Sequence, residues 1–159
     1  MRALIDEQVL AQVLPGGWTI AATNLPMWLS GERQSPHFAY ELLGESPLLL
    51  AGEVSYATAE GEQKQITGQD AWGDGEFSRR GKGLQRVFVS RWIVSGVSDD
   101  GAIVVLHYSK SLATPDGIDV LVRDGAGALE VRTTIARATE EFGLTPEEFG
   151  SLSWLQPSS

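Results

Sequence analysis

The chain of 159 residues contains no cysteine, which excludes disulfides, thiolate metal sites and a cysteine nucleophile. Histidine is scarce: the two histidines, His37 and His107, do not stand at a spacing typical of metal ligands, so no metal site is expected. The phosphate-binding loop, the nucleophile elbow and the histidine–glutamate helix motif are also missing. No cofactor is therefore predicted, and nothing marks the axial ligand that a haem barrel would need.

Long apolar runs are missing too. No segment approaches the ~18 apolar residues of a membrane helix, and Asp6 and Glu7 interrupt the N-terminal stretch where a signal peptide needs an apolar core. We therefore expect a cytoplasmic protein without membrane insertion. Basic residues are few: 12 Lys and Arg stand against 21 Asp and Glu, a net charge of −9. This balance argues against nucleic acid and anionic lipid as partners, because phosphate binding depends on Lys and Arg.

The clearest basic cluster lies in "SRRGKG", at Arg79, Arg80 and Lys82. The glycines around Lys82 favour a solvated hairpin turn, and an anion-binding lip is the alternative. Acidic residues in the preceding glycine-rich hairpin are interpreted in the same way, as solvated carboxylates: Asp70, Asp74 and Glu76.

What the sequence does contain is a series of strand-forming segments separated by glycines. Its length fits a single domain over residues 1–159. The runs between glycines are rich in Val, Ile, Tyr, Phe, Trp and Thr, a pattern typical of an antiparallel meander, and "TAEGEQ" and "SDDGAI" predict tight hairpin turns. The predicted strands span about 17–24, 36–43, 48–58, 62–69, 73–79, 84–97, 102–109 and 117–123.

Helical patterns occur only near the two ends. Residues 3–14 form a short amphipathic segment, and a longer one over 128–142 carries apolar residues at steps of three and four before Gly143, a natural helix C-cap. A last helix is predicted in "LTPEEF" by a capping box and a proline at the first helical position: Thr145, Pro146 and Glu148.

About eight sequential antiparallel strands would expose two long edges unless the sheet closes. Eight strands close into a barrel just wide enough to be filled by side chains or to hold one small ligand. The sequence therefore predicts a mainly β protein. We expect an eight-stranded antiparallel up-and-down barrel over about 17–123, with a short N-terminal helix and with a C-terminal helix, about 128–142, packed on the barrel.

The segment that opens the first strand, Gly16-Gly17-Trp18, resembles the Gly-x-Trp motif of lipocalins, and it follows a short helix as in that family. Arg123 stands at the end of the eighth predicted strand, where lipocalins place an arginine across that tryptophan, and Ser98-Asp99 matches part of the family's Thr-Asp-Tyr signature. The resemblance to lipocalin-like (calycin) barrels spans about 4–155. It implies that Trp18 and Arg123 form a structural floor through a cation–π contact of about 0.5–2 kcal/mol.

If the barrel prediction holds, function belongs inside the barrel and at its mouth. In "LQRVFVSRWIVSG", alternation puts Arg86, Phe88 and Trp92 on one face, which we take as the interior, with Arg86 as a candidate anion anchor. Filling of the core by the two aromatic residues is the alternative. The first long loop, 24–36, carries an apolar cluster around Trp28, which we interpret as a lid over the ligand or as packing on the barrel rim. The candidate ligand-binding residues are Trp28, Tyr40, Tyr56, Arg86, Phe88, Trp92 and Tyr108.

Two functional hypotheses follow. The first is a binding protein that carries a small hydrophobic ligand, such as a lipid, a fatty acid or a pigment-like molecule, inside the barrel. The alternative is a barrel enzyme, a cyclase, isomerase or hydrolase, that uses His107 or an inward carboxylate as a general base. An inward His107 beside a buried acid would favour the enzyme. A polyketide-cyclase-type helix-grip fold is a further alternative, and a homodimer is possible because three tryptophans could lie at an interface: Trp28, Trp72 and Trp154.

Overall fold

The computed structural model of the chain describes residues 5–81, 89–109, 116–126 and 130–155. Within these residues the strands are β1 (Gly16–Thr23), β2 (Arg33–Glu45), β3 (Leu48–Thr58), β4 (Gln63–Gly73), β5 (Glu76–Gly81), β6 (Val89–Val97), β7 (Ile103–Tyr108), β8 (Gly117–Arg123) and β9 (Ser153–Trp154). The helices are α1 (Glu7–Val13), α2 (Pro26–Leu29), α3 (Val131–Ala136), a 3-10 helix (Thr139–Phe142) and α4 (Pro146–Gly150).

The strands form one sheet that closes on itself. Their order is β2-β3-β4-β5-β6-β7-β8-β1-β9, and β1 also pairs with β2, so that β1 to β8 make a complete antiparallel barrel. β1 pairs with β2 only through Gly16–Thr19, while β9 pairs with Ala22 and Thr23 further along β1. The predicted eight-stranded up-and-down barrel is confirmed, and β1 and β2 separate at one end of it.

Alternation along the strands divides the apolar residues into two layers. On β7, Val104, Leu106 and Tyr108 face the barrel interior, while Ile103 and Val105 face outward against the C-terminal helices. The barrel therefore has an internal core and a second core between its outer wall and residues 131–155.

Most strand boundaries agree with the prediction because glycine turns set them. Gly61 and Gly101, in the two predicted hairpin turns, have φ values of 89° and 72°, which favour glycine. β4 runs four residues beyond its predicted end, and the turn at Asp74-Gly75 has positive φ at both positions, as a type I′ turn requires. The predicted start of β6, residues 84–88, lies outside the described residues.

The prediction of one continuous helix over 128–142 is wrong. α3 ends at Ala136, and a separate 3-10 helix follows; the first predicted residues, 128 and 129, lie outside the described part of the chain. The segment after the break lies close to the barrel wall, where a Cβ on Gly96 would lie 2.3 Å from the Cα of Phe142 and Ser95 Oγ donates a 2.7 Å hydrogen bond to the Phe142 carbonyl. Gly143 ends the 3-10 helix in the left-handed conformation, with φ of 69°.

The last predicted helix is present as α4. Thr145 accepts a hydrogen bond from the Glu148 amide, and the Glu148 side chain accepts one from the Thr145 amide, which is the predicted capping box. None of the helices in the described ranges is long and apolar enough to cross a membrane.

Candidate ligand-binding site in the barrel

One end of the barrel is closed by α1 and by the start of β1. Leu10 and Leu14 are fully buried in the internal core, and Trp18 Nε1 donates a 2.9 Å hydrogen bond to the Leu14 carbonyl. The Arg123 guanidinium lies over the Trp18 ring, 4.3 Å from the centroid, and donates to the carbonyls of Pro15 and Val13. Arg123 thus holds the indole and the C-terminal end of α1 together.

The interior is more accessible towards the opposite end. On the inner face of β3, Leu48 and Leu50 are fully buried, whereas Val54 and Tyr56, further along the strand, are half-buried. Ile66, which pairs with Val54 from β4, is also half-buried. Since β3 runs from the closed end to the mouth, the inner face of the barrel is fully buried near α1 and partly accessible in the open half.

Aromatic side chains connect the two halves. Trp92 stacks on Phe77 with ring centroids 4.3 Å apart and on Tyr40 at 5.8 Å, and Tyr108 lies 6.4 Å from the Trp92 ring. Phe38 continues the series from Tyr40 at 6.4 Å. Enclosure in the barrel is the main cause that raises the pKa of both the Tyr40 and Tyr108 hydroxyls, so they remain neutral hydrogen-bonding groups at physiological pH.

Trp28 brings α2 into this aromatic series at the mouth. Its ring lies 6.3 Å from Phe38 and 6.1 Å from Tyr56, and the residue is only 7% exposed. Among the described residues, the indole N–H of Trp28 has no hydrogen-bond partner. α2 therefore lies across the barrel mouth and inserts one aromatic side chain, with a free donor, into the interior.

A buried ion pair lies inside the barrel, where the prediction placed solvated charges. Asp70 is fully buried and accepts a 2.8 Å bond from Arg79 and a 2.9 Å bond from Trp92 Nε1. Arg79 also donates to the carbonyls of Gly52 and Ile66 at 3.1 and 3.3 Å. Burial raises the pKa of Asp70 while Arg79 opposes the shift, and the solvated interpretation is wrong for this residue.

Glycine makes room for this pair. A Cβ at Gly52 would lie 2.3 Å from the Asp70 carboxylate and 2.4 Å from the Arg79 guanidinium. The inner face of β3 therefore needs a residue without a side chain at this level.

A second buried carboxylate, Asp119, lies on the inner face of β8 near the mouth. It shares that face with Leu121, while Val120 faces the outer core. Thr23 Oγ1 donates a 2.7 Å bond to one carboxylate oxygen, and the Tyr108 hydroxyl also stabilises the charge. Burial nevertheless dominates and raises the pKa of Asp119 to about 7.

The candidate ligand-binding residues fall into two groups. The structure brings five of them together around the interior, in contact through the aromatic series: Trp28, Tyr40, Tyr56, Trp92 and Tyr108. Arg86 and Phe88 lie outside the described residues. Arg79, which the sequence predicts in a solvated hairpin turn, is instead a cation inside the barrel.

His107, the candidate general base, lies on the outer face of β7. Its Nδ1 is 3.8 Å from a carboxylate oxygen of Glu148 in α4, and its side chain is 11% exposed. It therefore does not face the interior beside Asp70 or Asp119.

The other histidine, His37, lies in an outer cleft where β1 and β2 separate. His37 Nε2 is 2.5 Å from Asp124, whose other oxygen accepts a 3.0 Å bond from Thr19 Oγ1. The cleft has a volume of about 840 Å³ and reaches Trp28 at the mouth. No group of three or more His, Asp or Glu side chains in the described ranges is arranged to hold a metal ion.

Comparison with known proteins identifies the fold. No protein-family model matches the sequence, and no curated protein sequence matches it significantly. Solved structures do match over nearly the whole chain. Lobster apocrustacyanin A1 is 12% identical, with 99% of this chain and 88% of that chain covered and a TM-score of 0.64.

Two further solved structures carry ligand-related descriptions. The amine binding protein of Rhodnius prolixus, solved with tryptamine, is 11% identical at a TM-score of 0.62, covering 97% of this chain and 84% of that one. The siderocalin Ex-FABP, described as having dual ligand specificities, is 14% identical at a TM-score of 0.56, covering 92% and 95%. At these identities the likeness concerns the fold, and together with the closed eight-stranded barrel it shows that this chain has a lipocalin-like fold.

Proposed function

We propose that this protein binds a small hydrophobic molecule in the open half of its barrel, beneath α2. The observation that carries the proposal is the aromatic series from fully buried Trp92 to half-buried Tyr56 and Tyr108. Such a wall suits an apolar or aromatic ligand, because each square ångström of apolar surface removed from water contributes about 25 cal/mol. The structurally similar amine binding protein of Rhodnius prolixus forms a complex with tryptamine, which supports a small ligand for this fold.

α2 supports the proposal from the mouth side. Trp28 closes part of the opening, and Met27 is partly buried against the internal core. Leu29, in contrast, is 43% exposed. We infer that α2 acts as a lid whose inner face contacts the ligand.

The enzyme alternative has less support. His107 lies on the outer wall, so it would not reach a molecule in the interior. Asp70 is held in an ion pair with Arg79, which leaves it a poor general base. The cytoplasmic location, the single-domain organisation and the homodimer stay predictions.

The experiment tests occupancy of the open half with two variants at adjacent positions. Val54→Trp adds an indole on the inner face of β3, where Val54 pairs with Phe38 and Ile66. Ser55→Trp adds the same side chain one residue later, on the outer face. We expect Val54→Trp to weaken binding of the neutral fluorescent probe N-phenyl-1-naphthylamine by about tenfold or more, because the new indole fills the ligand space.

Ser55→Trp should leave the affinity for this probe within about twofold of wild type, because its indole lies outside the barrel. Circular dichroism of both variants checks that the barrel is intact. Equal affinities in wild type and both variants, or no binding of the probe to wild type, would contradict a ligand site in the open half. Native mass spectrometry of freshly purified protein, followed by solvent extraction, would identify any co-purified ligand.

A further inference from the structure

We propose that Asp119 selects ligands that carry a basic nitrogen. The preferred ligand is an organic ammonium ion whose remaining part is apolar and about as large as an aromatic ring system. This inference rests on the proposed function and specifies its ligand chemistry. It follows from the difference between the two carboxylates inside the barrel.

Asp70 and Asp119 are both fully buried, yet among the described residues a cation lies beside Asp70 and none beside Asp119. Arg79 bonds Asp70 at 2.8 Å, and Trp92 supplies a further donor. Within the described ranges no Lys, Arg or His forms an ion pair with Asp119. A buried carboxylate without a cation is strongly disfavoured in its charged form, and an ammonium ion placed beside it would relieve that cost.

The two carboxylate oxygens of Asp119 are buried and differ in their hydrogen bonding. Thr23 Oγ1 bonds Oδ1 at 2.7 Å, whereas Oδ2 makes no hydrogen bond of ordinary geometry to any described residue, although the Tyr108 hydroxyl is near enough to stabilise the charge. An ammonium group is a donor-only cation with three N–H bonds and fits such an acceptor. Oδ2 is therefore the atom that the ligand nitrogen would contact.

Asp119 also lies where a ligand in the proposed site would reach it. It is on β8 near the mouth, beside Tyr108, which continues the aromatic series through Trp92 and Tyr40. An apolar ligand body against these rings would bring a nitrogen on a short side chain to Asp119. The same rings favour a cation through their π faces.

A purely structural role for Asp119 can be distinguished from ligand selection by a substitution. Thr23 Oγ1 accepts a 3.0 Å bond from the Leu25 amide while it donates to Asp119, so the carboxylate anchors the chain that leads into α2. Asparagine retains an oxygen acceptor for Thr23 and removes only the charge. Asp119→Asn therefore separates the anchoring role from the selection of a cation.

The test compares three ligands that share an indole ring and differ in charge: tryptamine, the neutral alcohol tryptophol, and indole-3-acetate. Dissociation constants are measured by titration calorimetry at about pH 8, where Asp119 is largely ionised and the amine is protonated. We expect wild type to bind tryptamine about tenfold or more tighter than tryptophol, and indole-3-acetate weakest. In Asp119→Asn the preference for tryptamine should disappear, while the affinity for tryptophol stays within about threefold.

A pH series on wild type repeats the test without a variant. The affinity for tryptamine should fall by up to about tenfold for each pH unit below the Asp119 pKa of about 7, and that for tryptophol should not follow it. Among the described residues, the titratable groups in electrostatic contact with Asp119 are Tyr108 and Tyr40, and both tyrosines are in turn in electrostatic contact with Asp70 and Arg79. The two tyrosines stay neutral over this range because their pKa values are raised.

The outcomes separate this inference from the proposed function. If tryptophol binds as tightly as tryptamine, or if Asp119→Asn keeps the preference for the amine, the selection by Asp119 is wrong and the barrel remains a site for neutral ligands. A preference for indole-3-acetate would also overturn it and would point to Arg79. If none of the three compounds binds, the proposed site and its amine selection fail together.

Discussion

Replacing Asp119 by asparagine should stabilise the protein at alkaline pH, which is the reverse of the usual effect of a core substitution. Asp119 is 0% exposed, and burial moves the pKa of its carboxyl group from 3.8 to about 7. Each pKa unit corresponds to about 1.4 kcal/mol, so the ionised residue costs the folded state about 4 kcal/mol above pH 7. The asparagine side chain carries no charge and still offers an acceptor to Thr23.

The sign of the pH dependence follows from proton binding. Between about pH 4 and pH 7 the folded wild type keeps the Asp119 proton while the unfolded chain has lost it, so its contribution to stability is present at low pH and is lost as pH rises through this window. The free energy of unfolding of Asp119→Asn minus that of wild type should therefore increase across the window by about 4 kcal/mol and then level off.

Urea denaturation followed by tryptophan fluorescence, at steps from about pH 4 to pH 8.5, measures this difference. Asp100→Asn is the control: hydrogen bonds from Ser98 and Ala102 lower the pKa of Asp100 in an exposed turn, so the difference between this variant and wild type should stay constant above about pH 5. A difference between Asp119→Asn and wild type that does not change with pH would refute the assignment of a strongly raised pKa to this residue.

Two further substitutions test the groups that close and organise the barrel. Arg123→Ala removes the cation over Trp18 and two hydrogen bonds to the end of α1. We expect the free energy of unfolding to fall by about 2–4 kcal/mol and the affinity for the naphthylamine probe to stay unchanged. An unchanged melting temperature would exclude the stacking contribution. Arg79→Met leaves Asp70 buried without its cation and should cost about 3–5 kcal/mol. The double variant Arg79→Met/Asp70→Asn should recover most of this loss, and a double variant no more stable than Arg79→Met would show that the unpaired charge is not the cause.

The barrel itself could be predicted because its signals are local. The glycines at the hairpin turns and the alternation within each strand can be recognised from residues that are close together in the sequence. Eight such strands leave two unpaired edges unless the sheet closes. The Gly-x-Trp segment at Trp18 and the arginine at Arg123 then supported the resemblance to lipocalins. In the structure these two residues are in contact, 105 positions apart in the chain, with Arg123 lying over the Trp18 ring.

The buried ion pair could not be predicted in the same way. Asp70 and Arg79 flank a glycine-rich turn, and their charges alone favour solvent exposure. They are buried because Asp70 pairs with Leu50 on one side and with Arg79 on the other, and because Gly52 leaves space opposite them. This information lies in three different strands. The placement of the segment after the break in the predicted C-terminal helix is also non-local, since Phe142 packs against Gly96 of another strand.

Asp119 is different, because the sequence did contain a signal for it. In "GIDVLVR" the side chains at positions 119, 121 and 123 share one face of a strand. An arginine at position 123 that packs across the barrel floor therefore places Asp119 inside, four residues closer to the mouth. The alternation that predicts Tyr108 and Trp92 in the interior therefore also predicts the second interior carboxylate on β8.

The two interior carboxylates also explain why the barrel would retain a residue that reduces its stability. If Asp119 served only to hold Thr23, asparagine would hold it equally well without the cost of a buried charge. Asp70 does not carry the same cost in the empty barrel, because Arg79 offsets its charge in the absence of ligand. A carboxylate that is destabilising when the barrel is empty becomes favourable when a cation binds beside it, and a ligand that binds only the folded state adds its own stabilisation through mass action. The stability lost at Asp119 in the empty protein and the proposed selectivity for an amine would thus both follow from one buried carboxylate that has no cation beside it in the described part of the chain.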